Sequence, residues 1–211
     1  MPSIDSPQNA RSRRTRTALL DATRALIEEE GFDALTTTSA AERAGVSRRA
    51  VYLHFSSRNE LLAALYRHLG ETEDLGTSLQ AVWNSPDAVT ALDEWAHHMA
   101  RSHPRILAVS RAIERARYTD DDAAGLWNLT MSNWLTGCTR LMEWLDADGA
   151  LSPSWTVSSA ADMLWALMSW DLLERLTADR GWAPEQFGEQ YAAMLTATFV
   201  RPGAPERGGA V

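Results

Sequence analysis

Apolar residues recur along much of the chain at intervals of three and four, the spacing that gathers them on one face of an α-helix. Leu19, Ala22 and Leu26 form the first such face, in a helix predicted over residues 13–30 that Gly31 ends. No stretch sustains the two-residue alternation of a half-buried β-strand. The pattern therefore predicts an all-α protein.

Turn and capping signals divide the rest of the chain into further helices. Ser57 and Glu60 form a capping-box pair at the start of the fourth helix, and Gly76 marks the predicted break after it. Pro104 is predicted to interrupt a later helix, because proline lacks the N–H that a helix interior uses. The predicted helices after the first cover residues 36–44, 47–55, 57–69, 85–102, 105–117, 120–148, 157–178 and 184–200.

The segment TTTSAAERAGVSRRAVYLHF, residues 36–55, contains the most specific motif in the chain. Ala41 is a small residue where two helices cross, Gly45 permits a tight turn, and Val51 anchors the second helix. Val46 and Phe55 complete the local core. These spacings predict a helix-turn-helix, and a helical hairpin with a merely solvated basic face is the less favoured alternative. The side chains that face outward, toward phosphates or base edges of DNA, are Ser47, Arg48, Arg49 and Tyr52.

Charge is divided unevenly along the chain, whose formal net charge is −8. Residues 1–70 hold 10 arginines and 8 acidic residues, a net charge of +2, whereas residues 71–211 hold 10 arginines and 20 acidic residues, a net charge of −10. This asymmetry predicts different partners for the two parts. Together with the helix-turn-helix, it divides the chain into a predicted DNA-binding domain over 1–70 and a predicted ligand-binding and dimerisation domain over 71–211. The basic cluster ahead of the first apolar face is either a solvated tail or a DNA-contacting arm, and it consists of Arg11, Arg13, Arg14 and Arg16.

A characteristic order of residues surrounds the helix-turn-helix: Thr37, Ala41, Ala44-Gly45-Val46-Ser47, Tyr52, His54-Phe55, Arg58 and Leu61. In this order the chain resembles the tetracycline-repressor (TetR) family of bacterial regulators. The similarity covers residues 14–65, and a weaker one covers residues 162–187. It implies an all-helical homodimer in which the helix at 47–55 enters the major groove of a near-palindromic operator in double-stranded DNA.

The resemblance also implies roles for single residues. Positions that contact phosphates in the family are occupied here by Thr37, Tyr52, His54 and Arg58. Positions that read base edges are occupied by Thr38, Arg48 and Arg49. Ala40 departs from the usual isoleucine or leucine and predicts a thinner core under the first helix of the motif. Arg58 replaces the usual lysine, which keeps the charge but changes the hydrogen-bond geometry.

All nine tryptophans lie within residues 83–182, in the larger predicted domain. Large aromatic and thioether side chains on facing helices can line an adaptable apolar cavity, although plain core packing is the favoured interpretation for any single one of them. The resemblance favours a pocket for the group, which implies a small apolar or aromatic effector. The predicted pocket residues are Trp95, Met99, Trp127, Met131, Trp134, Trp165 and Met168.

The helix predicted at 157–178 is apolar on most of its circumference, so it must be buried on more than one side. One side is expected to face its own domain and the other side a partner chain. The helix at 184–200 has a similar apolar seam. We therefore predict a four-helix homodimer interface that includes Leu164, Leu172, Phe187, Tyr191 and Leu195.

The remaining features favour a regulator over other classes of protein. No nucleophile elbow, glycine-rich phosphate loop or metal-ligand cluster occurs, so no enzyme activity, cofactor or metal is predicted. His97, His98 and His103 are expected to be solvated or to lie at a pocket edge. Cys138, the single cysteine, is expected to be an inert core residue.

No apolar run is long enough to span a membrane, and a cytoplasmic protein is predicted. The predicted function is a ligand-responsive, sequence-specific DNA-binding transcriptional regulator that acts as a repressor. The alternative is a helical small-molecule-binding or dimerisation protein without specific DNA binding.

Overall fold

The computed structural model describes residues 10–203, and every regular element in that range is helical. This confirms the all-α prediction. One isolated β-bridge, between Leu151 and Val200, lies outside the helices. A short 3-10 helix spans Phe32–Ala34 and a π-helical turn spans Arg175–Asp179. The α-helices are α1 (Ala10–Glu30), α2 (Thr37–Arg43), α3 (Arg48–His54), α4 (Arg58–Thr72), α5 (Leu75–Trp83), α6 (Ala88–Ala116), α7 (Asp121–Ala147), α8 (Val157–Leu167), α9 (Trp170–Glu174) and α10 (Pro184–Phe199).

Contacts between residues divide the chain into two compact units. Unit 1 comprises Met1–Thr72, described from residue 10 onward, and Ala108–Leu129. Helix α1 packs against α2, α3 and α4. The apolar face predicted on α1 is buried, with Leu19 0% and Leu26 3% exposed. Burial of this face holds the three shorter helices around α1.

Unit 2 comprises Glu73–Leu107 and Thr130–Val211, described as far as residue 203. One continuous cluster of buried apolar side chains forms its core, and helices α5 to α10 all contribute to it. Fully buried examples are Leu92, Leu141, Leu164 and Leu195.

The prediction of a helix break at Pro104 is wrong, because α6 runs from Ala88 to Ala116 with the proline inside it. An interior proline removes a backbone hydrogen bond and costs about 3 kcal/mol or more. Side chains on both sides of it are buried, with His103 3% and Ile113 0% exposed. Burial along the whole length of the helix outweighs the missing hydrogen bond.

The prediction of one continuous helix over 157–178 is also wrong. Helix α8 ends at Leu167, and the hydroxyl of Ser169 caps α9 by accepting from the N–H of Asp171 at 3.2 Å. In a continuous helix Trp170 would point about 120° away from Leu164 around the helix axis, because each residue turns the chain by about 100°. The break allows both Leu164 (0% exposed) and Trp170 (3%) to be buried.

The break before α5 lies at Asp74 rather than at Gly76, which is inside α5. Asp74 has a φ of 56°, in the left-handed region. Aspartate tolerates this conformation better than most residues, because its short side chain can bond to the local backbone.

Candidate functional site

The turn between α2 and α3 has the geometry that the predicted helix-turn-helix requires. Gly45 has a φ of 66°, a conformation that a residue with a β-carbon resists. The N–H of Val46 donates to the carbonyl of Ala41 at 3.0 Å and closes the end of α2. Ser47 then caps α3, because its hydroxyl accepts from the N–H of Ala50 at 3.2 Å. The turn thereby fixes the direction in which α3 leaves α2.

The predicted core residues of the motif lie beneath this turn. Ala41 (2% exposed), Val51 (0%) and Phe55 (1%) are buried, which confirms the predicted anchor. Ala40 is also fully buried. A core position is therefore filled by a methyl group where a branched side chain was expected, so the core under α2 is thin there.

The opposite face of α3 is exposed and presents Arg48, Arg49 and Tyr52. The guanidinium of Arg48 lies 5.8 Å from the ring centroid of Tyr52 and donates to its hydroxyl at 3.4 Å. Leu53 is 63% exposed on the same short helix, and the sequence analysis did not assign it a role. The one sequence feature that could have indicated a role for Leu53 is its position directly after Tyr52. The surface of α3 thus combines two cations with an aromatic and an aliphatic side chain.

The first turn of α2 contributes to this face. The hydroxyl of Thr37 lies 3.4 Å from that of Tyr52. The hydrogen bond with Thr37, and then the contact with Arg48, hold the pKa of Tyr52 below its ordinary value. Thr38 is exposed. The structure therefore brings Thr37, Arg48 and Tyr52 together and leaves Thr38 and Arg49 open to solvent.

Arg16 of α1 reaches the end of α3. Its guanidinium donates to the carbonyl of His54 at 3.4 Å and lies 4.6 Å from the ring centroid of Phe55. Burial, and then the charge of Arg16, hold the pKa of His54 below its ordinary value, so this imidazole is neutral at pH 7. All four arginines of the basic cluster lie within α1 rather than in a tail.

Arg58, at the start of α4, is bound to Asp120, the residue before α7. Their side chains form an ion pair and are 22% and 27% exposed. The guanidinium also lies 4.5 Å from the ring centroid of Phe32. Asp120 caps α7 by accepting from the N–H of Ala123 at 3.0 Å. Burial acts in the opposite direction, but the bonds from Ala123 and Arg58 hold the pKa of Asp120 below its ordinary value. The sequence analysis missed this partner.

In unit 2, aromatic rings from α6, α7 and α9 pack against one another in the interior. The ring centroid of His103 lies 5.0 Å from that of Trp134 and 4.3 Å from that of Trp170. Burial holds the pKa of His103 well below that of an ordinary histidine. The expectation that His103 is solvated or lies at a pocket edge is wrong, because this neutral imidazole is part of the core.

The structure does not gather the other predicted pocket residues in one place. Trp95, Met99 and Met168 are buried in the core of unit 2. Trp165 is 37% exposed and donates to the carbonyl of Met131 at 3.1 Å. Trp127 belongs to unit 1, where the guanidinium of Arg117 lies 4.5 Å from its ring centroid. A cavity of about 100 Å³ in unit 2 is lined by Leu172, Leu176, Trp182, Phe187, Gln190, Tyr191 and Met194.

Four of the five residues predicted at a dimer interface are instead buried within this chain. Each is at most 4% exposed, so it has almost no surface to offer a second chain: Leu164, Phe187, Tyr191 and Leu195. Their apolar spacing reflects the core of unit 2. Only Leu172 is partly exposed. The large exposed apolar side chains of α8 and α10 are their neighbours, Met163 (41%), Trp165 (37%) and Met194 (38%).

The remaining histidines are engaged locally. His98 bonds to the hydroxyls of Ser78 at 2.9 Å and Ser102 at 3.0 Å. His97 lies 3.6 Å from the carboxylate of Asp93. Over residues 10–203, no group of three or more His, Cys, Asp or Glu side chains is placed to hold a metal ion. No helix in this range is long and apolar enough to cross a membrane.

Residues 19–65 match the family model described as bacterial regulatory proteins, tetR family. The N-terminal segment is therefore similar to the tetR family. The matched segment contains α2, α3, the turn at Gly45 and the whole exposed face of α3. Arg16 and Asp120 lie outside the segment, although each contacts a residue within it.

Two curated relatives from Pseudomonas putida match part of this chain. The transcriptional regulator TtgR is 38% identical over 60 residues, which cover 28% of this chain and 29% of TtgR. The regulator ArpR matches with the same values. The chain therefore matches less than a third of the length of these relatives.

Solved structures resemble the chain over nearly its whole length. NalD of Pseudomonas aeruginosa, described as the secondary repressor of the MexAB-OprM multidrug efflux pump, is 20% identical with a TM-score of 0.70, covering 92% of this chain and 99% of NalD. A Saccharomonospora viridis transcriptional regulator in complex with choline is 16% identical, with a TM-score of 0.71 and coverages of 90% and 99%. A SmeT–triclosan complex is 22% identical, with a TM-score of 0.71 and coverages of 92% and 96%. At these identities the likeness shows a shared fold.

Proposed function

We propose that the protein is a sequence-specific DNA-binding transcriptional regulator, that it acts as a repressor, and that a small molecule controls it. The observation that carries the proposal is the exposed face of α3, which presents Arg48, Arg49 and Tyr52 from the segment that matches the tetR family model. The net charge of +2 on residues 1–70 fits a polyanionic partner. The proposal assigns DNA binding to residues 1–70 and both effector binding and dimerisation to residues 71–211.

Helix α3 is the element assigned to the major groove, where its N-terminal residues approach the bases. The guanidinium of Arg49 is exposed, and an arginine can bond both O6 and N7 of a guanine, a contact worth about 1–3 kcal/mol of discrimination. Arg48 and Thr38 are assigned to neighbouring base edges. Leu53 is exposed enough to touch a thymine methyl group.

Phosphate contacts are assigned to polar groups around the edge of this surface, which are Thr37, Ser47, Tyr52, His54 and Arg58. The bond with Thr37 positions the Tyr52 hydroxyl before DNA arrives. His54 serves as a neutral hydrogen-bond donor, because its pKa is lowered. Arg58 is held by Asp120, so a phosphate must share or replace that carboxylate as its partner. A guanidinium has five N–H donors, which makes sharing possible.

A homodimer is proposed because two recognition helices must meet successive major grooves about 34–36 Å apart on a near-palindromic operator. The surface assigned to the partner chain is the outer face of α8 and α10. Met163 and Met194 are exposed there beside small residues such as Ala166 and Ala193. Methionine is enriched in interfaces between proteins, and small residues allow helices to approach closely.

The effector is proposed to bind the aromatic interior of unit 2, where His103 stacks on Trp134 and packs against Trp170. The solved complexes of similar fold with choline and with triclosan support small-molecule binding by this architecture. If the effector favours a state that is poorly spaced for DNA, it weakens operator binding. The operator then weakens effector binding by the same factor.

An electrophoretic mobility shift tests the proposal, with DNA from upstream of the protein's own gene and a shuffled duplex of equal length. We expect the upstream DNA to shift at nanomolar protein and the shuffled DNA to need about 10³-fold more. Arg49→Ala should remove most of this preference, whereas Arg180→Ala, at an exposed arginine of unit 2, should not. Equal binding of both duplexes by the wild-type protein would instead favour a helical binding protein without specific DNA recognition.

A further inference from the structure

Three hydrogen-bond donors in the interior of unit 2 have no partner. They are Nε1 of Trp95, Nε1 of Trp170 and the hydroxyl of Tyr191. All three side chains are at most 4% exposed. In contrast, Nε1 of Trp155 donates to the carbonyl of Thr198 at 2.8 Å. Since a buried polar group without a partner is costly, three such donors in one core call for an explanation.

The side chains that carry these donors lie close to one part of α7. Gly137 faces Trp95, and a β-carbon there would lie 2.9 Å from the indole ring. Trp134, three residues earlier, has its ring centroid 5.0 Å from that of Trp170. Cys138, one residue later, and Tyr191 belong to the same cluster of buried residues. Residues spaced by three and four share one face of a helix, so Trp134, Gly137 and Cys138 form one patch of α7 near these three side chains.

The surroundings of this patch are electrically neutral. Burial raises the pKa of the Cys138 thiol to about 12 and holds that of His103 well below its ordinary value, so neither is charged at pH 7. Among the described residues of unit 2, the buried carboxylate is that of Asp87, which already caps α6 by accepting from the N–H of Thr90 at 2.8 Å. An organic cation would find no counter-charge here, and neither would an anion.

A small cavity lies beside Tyr191. The cavity of about 100 Å³ has Tyr191 and Phe187 in its wall and the flexible side chain of Met194 at its edge. An apolar cavity of about 150 Å³ accommodates benzene, so a single ring enters only if this cavity widens, and the flexible side chain of Met194 can move.

We propose that this core binds an uncharged, single-ring aromatic molecule that carries a hydrogen-bond acceptor such as a ketone or ester oxygen. The acceptor bonds to one or more of the three donors without partners, and the ring fills the cavity beside Tyr191. This inference rests on the proposed function, since it names the class of effector for the same site.

Calorimetric titration of the full chain with four matched probes tests the class of ligand. The probes are acetophenone, ethylbenzene, benzoate and benzyltrimethylammonium. We expect acetophenone to bind at least about fivefold more tightly than ethylbenzene, which has nearly the same shape but no acceptor. The two ions should bind more weakly than acetophenone. Tighter binding of either ion or of ethylbenzene, or no detectable binding of acetophenone, overturns the proposal.

Substitutions in the core test which side chains donate hydrogen bonds to the acceptor of acetophenone. Tyr191→Phe and Trp170→Phe should each weaken acetophenone binding about fivefold and leave ethylbenzene binding within about twofold. Tyr118→Phe, at a 76% exposed tyrosine, and Trp155→Phe, whose N–H is already bonded, are the matched controls and should change neither. Tyr191→Phe should melt no lower than the wild type, because its hydroxyl has no bond to lose. Unchanged acetophenone affinity in both core variants contradicts the proposal.

The mobility shift keeps the two claims apart. Operator binding without selective acetophenone binding refutes the effector class alone. Selective acetophenone binding by a protein that does not recognise its upstream DNA refutes the proposed regulatory function alone.

Discussion

The side chain of Arg58 has two candidate partners, the carboxylate of Asp120 and a phosphate of bound DNA. If they compete, Asp120→Asn should strengthen binding to operator and random DNA alike, by about two- to fivefold, because a partly exposed ion pair is worth about 0.2–1 kcal/mol. Fluorescence anisotropy with both duplexes measures this effect. Asp121→Asn makes the same charge change one residue away and should have a smaller effect. Equal gains in the two variants would mean that general repulsion, and not the contact with Arg58, sets the affinity.

The burial of a single side chain, His98, predicts how the stability of the protein depends on pH. Burial, and then the charge of Arg101, lower its pKa from 6.5 to about 4, although Glu94 acts in the opposite direction. Between these two values the unfolded chain binds the proton and the folded chain does not, so stability is full above pH 6.5 and falls as the pH drops toward 4. The loss is on the order of 3 kcal/mol.

Urea unfolding at pH 7 and pH 4.5 measures this loss. His98→Gln can keep the bonds to Ser78 and Ser102 and has no proton to bind in this range. It should therefore lose less stability over the same interval than the wild type. An identical loss in both proteins would show that His98 is not the group responsible.

Residues within one motif were predictable, and contacts across the chain were not. The burial of Val51 and Phe55 followed from their spacing around Gly45, because local geometry decides it. The pairing of Arg58 with Asp120 joins residues that are 62 positions apart, so no local pattern contains it. The three donors without partners belong to α6, α9 and α10, so no local pattern links them.

At the scale of elements, the turn at Gly45 provides the sharpest test of the helix-turn-helix. Gly45→Ala forces a β-carbon into a φ of 66° and should destabilise unit 1 by about 1–2 kcal/mol. Gly125→Ala, in the interior of α7 with open space around its position, should stabilise by about 0.5–1 kcal/mol. Chemical denaturation of both variants gives the comparison. A neutral Gly45→Ala variant would mean that the turn relaxes and does not need glycine.

At two helix boundaries, the burial of side chains outweighs the local sequence signal. Pro104 is a strong helix-breaking signal, but α6 continues through it because the side chains on either side are buried. The stretch from Val157 onward has a continuous apolar pattern, but it breaks at Ser169 so that Trp170 can also be buried. Periodicity indicates which residues avoid water, and the rest of the fold decides what covers them.

At the scale of the whole molecule, the proposed dimer depends on the outer face of α8 and α10. Met194→Glu should convert dimers to monomers at micromolar concentration and greatly weaken operator binding, because a charge would be buried without a partner. Leu135→Glu is the matched control, since both side chains are 38% exposed. Light scattering measures the mass of each variant. A wild-type monomer, or a dimer that survives Met194→Glu, would exclude this face.

The sequence pointed to this pair of helices for the dimer but selected residues that the chain uses for its own core. Leu164 and Leu195 are fully buried, whereas their neighbours Met163 and Met194 are exposed. When a helix is apolar on several sides, its sequence does not indicate which side packs against its own domain. The folded structure distinguishes that side from the one left exposed for a partner chain.

Sequence recognition by α3 is the central claim, and selection from a random duplex library tests it most directly. The wild-type protein should enrich a near-palindromic site whose half-sites lie about one helical turn apart. Arg49→Ala should enrich a related site with at least one symmetric position relaxed, at a cost of about 1–3 kcal/mol for that contact, while its affinity for random DNA changes little. The same enriched site with unrelaxed positions for both proteins, or no enriched site for the wild type, would contradict the account.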